Sequence, residues 1–151
     1  MGAKPVAVQK LPDGTTQWSV DGFVATLRIL APGVVYSSAV GSGDQVFIPE
    51  LAAGMAEQIT AHGRVLVFVN LLGSARLGGT ARDRWAEWAK KHKQHSSAHF
   101  LVRSKLVEMG ISLIALFSGA DLRSYGDMDR FLAAMRQAAP NAVLPKLRSA
   151  A

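Results

Sequence analysis

The chain has 151 residues, of which 49% are apolar and 19% charged; this suits one folded domain with a continuous core and excludes a disordered chain or a fibrous repeat. Cysteine is absent, which excludes a disulfide framework, thiol catalysis and Cys-ligated zinc. Seventeen Lys and Arg against eleven Asp and Glu leave a net charge of +6, a surplus that fits either simple solubility or an anionic partner.

No apolar run reaches the roughly 18 residues of a membrane span. The N-terminal stretch MGAKPVAVQKLPDG lacks the apolar centre of a secretory signal, and Val6 stands where a myristoylation signal has Ser or Thr. The expected location is the cytoplasm.

Residues 1–14 read as a loose arm, rich in Pro, Gly and polar groups. From Thr15 the pattern turns strand-like: Trp18 and Val20 alternate with polar neighbours, and Asp21-Gly22 is a two-residue hairpin signal. Phe23, Ala25, Leu27 and Ile29 suit the returning strand. Gly33 to Ser42 is open between a third strand and the approach to a helix. Pro49 and Glu50 start a helix with Leu51, Met55 and Ile59 as its apolar row, and Gly63 stops it. VLVFVNLL, from Val65 to Leu72, has no alternation, so it belongs to a strand covered on both faces with parallel neighbours.

A Gly-rich turn, GSARLGG, leads to Thr80, which with Asp83 forms a variant of the capping box. The helix behind it places Ala81, Trp85, Trp88 and His92 on one face, and Arg82, Glu87, Lys90 and Lys91 on the other. His99 to Val102 suits a short buried strand. Ser104 caps a further helix along which two apolar rows run side by side: Leu106, Met109, Leu113, Leu116 and Val107, Gly110, Ile114, Phe117. A strand over ISLIALF is the rival reading, but the apolar residues do not alternate. Leu122 to Tyr125 makes a last strand, Asp127 caps a final helix carrying Met128, Phe131, Leu132 and Met135, and Pro140 ends it. Alternating helices and strands define a single α/β domain with a mixed, mostly parallel sheet flanked by helices and an N-terminal antiparallel hairpin. The domain is expected over 15–138, with 139–151 as a tail.

SKLVEMGISLIALF followed by ADLRSYGDMDRFLAAM, together with VLVFVNLL as the central strand, resembles the SpoIIAA-like branch of the STAS superfamily. The resemblance implies a bacterial, non-enzymatic regulatory domain that binds a protein partner and is switched by phosphorylation of a Ser or Thr at the start of the helix after the central strand. SpoIIAA-like domains also resemble CRAL-TRIO lipid-transfer domains, which implies an alternative role as carrier or sensor of a small apolar or lipid-like ligand. The Asp-Ser pair of the phospho-switch is absent here, and Asn70 stands where an acidic residue is often seen.

Ser74 and Thr80 are therefore the candidate phosphoacceptors. A phosphate on Thr80 would meet free N–H groups and the positive end of a helix, whereas Thr is also simply a good cap. Arg76, Arg82, Arg84, Lys90 and Lys91 are candidates for holding an anionic group or an acidic partner, or else a solvated helix face. Trp85 and Trp88 on the apolar row read as core rather than as a base-stacking platform, so nucleic acid is not favoured. His92, His95 and His99 lack a carboxylate at useful spacing, GSGDQ has no nucleophilic serine of an elbow motif, and no Gly-Lys-Ser/Thr follows the glycines. No cofactor, metal or catalysis is expected. The edge strands of an open sheet leave a homo-oligomer open.

Overall fold

The structure, a computed structural model, describes residues 6–20, 22–41, 47–74 and 79–147. Seven strands form one sheet in the order of the chain: β1 (Ala7–Lys10), β2 (Thr16–Val20), β3 (Phe23–Ala31), β4 (Val34–Gly41), β5 (Val65–Asn70), β6 (Ser96–Leu101) and β7 (Asp121–Tyr125). The four strands from β1 to β4 pair antiparallel, and β4 to β7 pair parallel. The parallel half needs crossovers, which are the helices α1 (Pro49–His62), α2 (Gly79–His92) and α3 (Lys105–Ser118); α4 (Met128–Ala138) follows the last strand.

The N-terminal arm is not loose throughout. Val8 pairs with Trp18 and Lys10 with Thr16, so residues 7–10 are the edge strand β1. Its four residues are all exposed, so there was no apolar alternation to announce it. At the other end, Ala139 is buried, and Ala142, Leu144 and Leu147 pack beside α4. Arg28 ties the tail down by donating to the Val143 carbonyl at 2.8 Å. The open segment after Gly33 is strand β4. The hairpin residue Asp21 lies outside the described residues, but Val20 and Phe23 pair across its turn and Gly22 has φ 83°.

Successive residues of β5 face opposite layers. Val65 and Val67 enter a core with Leu51 and Met55 of α1 and, at its margin, Trp85 and Trp88 of α2. Phe68, wholly buried, joins Phe131 and Met135 of α4 on the opposite face. Right-handed crossovers between strands added in one direction put α1, α2 and α3 on the same face, and α4 with the tail covers the other. Helix ends follow local rules: Pro49 opens α1, Gly63 closes it in the left-handed conformation at φ 80°, and Ser104 and Asp127 cap α3 and α4 by accepting from Val107 and Asp129 N–H groups.

Candidate functional site

The carboxyl ends of β4 and β5, where an open α/β sheet gathers ligands and partners, meet the start of α2. Strand β5 ends at Asn70, whose side chain is built into the turn. Its Oδ1 accepts from the Leu72 N–H at 3.0 Å, and its Nδ2 donates to the Tyr36 hydroxyl at 3.2 Å. Burial pushes the Tyr36 phenol above its ordinary value, and the Asn70 bond partly offsets this. Ser74 follows, with its N–H on the Leu71 carbonyl and its hydroxyl donating to the Ala39 carbonyl at 3.1 Å. That hydroxyl anchors the turn to β4, and modifying it would break the anchor.

Thr80 is exposed and is the second residue of α2 rather than its cap, because the helix already begins at Gly79. Asp83 accordingly does not complete a capping box; it lies 3.9 Å from Arg82, the residue before it. Arg84, one turn beyond Thr80 on the same side of the helix, stacks its guanidinium 4.6 Å above the Phe47 ring. Lys90 and Lys91 are exposed in the last turn, about 15 Å along the axis from Thr80 at 1.5 Å per residue. The candidates thus divide into two places: Thr80 with Arg84 at one end of α2, and the lysines, which suit the helix C-terminus, at the other. Arg76 lies outside the described residues.

The three histidines do not converge. His92 packs on Trp88 on the α2 side, while His99 points to the opposite face of the sheet and shares a 2.6 Å hydrogen bond with the Tyr125 hydroxyl. Burial lowers the pKa of both; for His99 the Arg123 charge adds to this and Asp121 opposes it.

Two features stand outside the residues singled out by sequence. The first is the outer face of α3. Of its two apolar rows only one is buried, and only in part: Val107, Gly110 and Ile114 face inward with Ile111 beside them, while Phe117 at the end of that row does not. Leu106, Met109, Leu113, Leu116 and Phe117 are exposed, Leu116 to 75% and Phe117 to 72%. The helix lies over the edge strand β7, so a single layer beneath it covers one side only. Together these five side chains offer on the order of 600 Å² to solvent, at the top of the range for the largest apolar patch on a monomer.

The second is a cavity of about 140 Å³ between the sheet and the three helices. Trp85 and Trp88, read as core, are half-buried and line it. Ala81 and Ala89 are the fully buried residues of α2.

No protein-family model matches the chain and no curated protein matches its sequence. Among solved structures, it is similar to the crystal structure of an anti-sigma factor antagonist from Mycobacterium paratuberculosis. The match has a TM-score of 0.50 at 20% identity and covers 85% of this chain and 99% of that one. The chain accordingly shares the α/β fold of that antagonist. Among the described residues no helix is long and apolar enough to cross a membrane.

Proposed function

We propose that this domain is a cytoplasmic, non-enzymatic regulatory module that docks on a partner protein through α3 and the neighbouring face of α2. The observation that carries the reading is the exposed row Leu106, Met109, Leu113, Leu116 and Phe117. Apolar side chains this exposed cost solubility and contribute little to the monomer's core, which is how recognition patches differ from ordinary surface. Alongside, α2 exposes Lys90 and Lys91 in its last turn, so acidic residues on the partner would suit that end of the patch. The fold shared with an anti-sigma factor antagonist supports the same reading. Thr80 is the residue through which phosphorylation would act: it is exposed, lies in the first turn of a helix, and has Arg84 one turn on.

A photo-crosslinking residue at position 116 tests this. It should capture a discrete partner in the host cell, and capture should be lost when Phe117→Glu is added. The same residue at exposed position 130, on α4 behind the sheet, should capture nothing comparable. Equal labelling from 116 and 130 would remove the docking face. Labelling of a second copy of the chain would replace the foreign partner by a homo-oligomer.

A further inference from the structure

We infer that the cavity under α2 is a binding site for a small apolar, ring-shaped molecule, a role independent of the docking face on α3. The space arises because the sheet floor is built from small residues where the helices above are held apart by large ones. Ala25 and Ala39 are direct cross-strand partners, and Ala98 is paired with Val67 two strands further on. Above them the two indoles stand edge to face with centroids 6.0 Å apart, and they wall the space instead of filling it.

The chemistry of the lining selects the ligand. Among the described residues, Ser37 and Ser74 are the only lining residues with polar side chains besides the two tryptophans. Their hydroxyls already donate to the Thr26 and Ala39 carbonyls at 2.8 and 3.1 Å. Among the described residues no buried side-chain nitrogen or oxygen is left without a partner. Among the described residues no ionisable side chain lines the space, so a charge buried against them would find no partner. The volume, about 140 Å³, matches the apolar cavities of about 150 Å³ that stay dry and take up benzene. A single ring fits it. The roof is the helix that carries Thr80 and Arg84, so an occupant bears directly on how that helix is presented.

Toluene is the probe. The chain has three tryptophans, giving three indole N–H signals in a 15N-labelled sample; Trp85 and Trp88 border the cavity, whereas Trp18, in the same core cluster, sits one strand behind the lining as the partner of Ala25. Titration should shift the Trp85 and Trp88 signals saturably, each by more than the Trp18 signal. Ala98→Leu, which grows into the space, should weaken toluene at least tenfold while the protein stays folded. If that variant does not fold, Ala39→Val serves the same purpose from the neighbouring floor. Absence of a saturable shift up to the aqueous solubility of toluene, equal shifts of all three indoles, or unchanged binding in the filled variants would each overturn the assignment.

Discussion

Ile114 and Leu116 are two residues apart on α3 and chemically alike, yet truncating them should have opposite consequences. Ile114 is 5% exposed and packs toward the sheet, whereas Leu116 is 75% exposed. Ile114→Ala removes buried methyl groups and leaves a void, for a loss of about 2–4 kcal/mol. For Leu116 only a quarter of the side chain is hidden; at ~25 cal/mol per Å² the truncation costs under about 1 kcal/mol, and Ala is at least as good a helix former as Leu. In urea, with a slope near 2 kcal/mol/M, Ile114→Ala should lower the midpoint by about 1–2 M and Leu116→Ala by less than about 0.5 M. Each should be measured at low and high protein concentration. A concentration-dependent loss for Leu116→Ala would mean that a second copy covers the face. A loss as large as that of Ile114→Ala, independent of concentration, would refute the claim that this row is free for recognition.

Asn70→Ala should cost about 1–3 kcal/mol, because it leaves the buried Tyr36 hydroxyl and the Leu72 N–H without their partner; adding Tyr36→Phe should recover part of the loss in the same denaturation assay. Gly41→Ala should be destabilising by more than about 2 kcal/mol, since φ is 125° and a Cβ would run into the Gly22 carbonyl oxygen. Thr80→Asp should raise stability by about 0.3–1 kcal/mol, as an exposed acid in the first turn of α2 meets the positive end of the helix; a loss would argue against Thr80 as a phosphate position. For pH, the sign follows from His99 binding its proton less readily in the folded protein than in the unfolded chain, as does His92. Their contribution is therefore fully present above the usual imidazole value of about 6.5 and is lost as pH falls from there through the lowered folded values. His99, held among Phe68, Tyr125, Arg123 and Asp121, should carry part of that slope, so His99→Phe should flatten the fall in urea midpoint between neutral and mildly acidic pH.

Much of the order of elements was written in local chemistry. The unbroken run from Val65 could only be a strand covered twice, and it sits between β4 and β6 with helices on both faces. Proline, glycine, serine and aspartate at helix ends acted through their own dihedrals and side-chain oxygens, which is why those boundaries could be read from sequence. Strand β1 could not: an exposed edge strand needs no apolar pattern, and its pairing is set by backbone bonds to β2 that any residue makes. The cap of α2 failed for a related reason. Thr80 and Asp83 satisfy the motif by spacing, but the helix begins one residue earlier at Gly79, and a motif cannot say where the chain has already turned.

The two features most relevant to recognition were hidden by one ambiguity: apolar character does not say what covers it. Both rows of α3 look alike in sequence, and only the position of the helix over an edge strand separates the buried Ile114 from the exposed Leu116. The cavity inverts this. Ala25, Ala39 and Ala98 read as ordinary strand residues, and Trp85 and Trp88 as bulk that fills a core. Whether small floor and large roof interlock depends on a register between β3, β4, β5 and β6 that no local pattern specifies. Had small and large residues alternated across the paired strands, the gaps would have been filled as in a close-packed interior. Instead Ala25 and Ala39 fall side by side, so their missing volume adds up in one place, and the space they leave is a property of the pairing rather than of any residue.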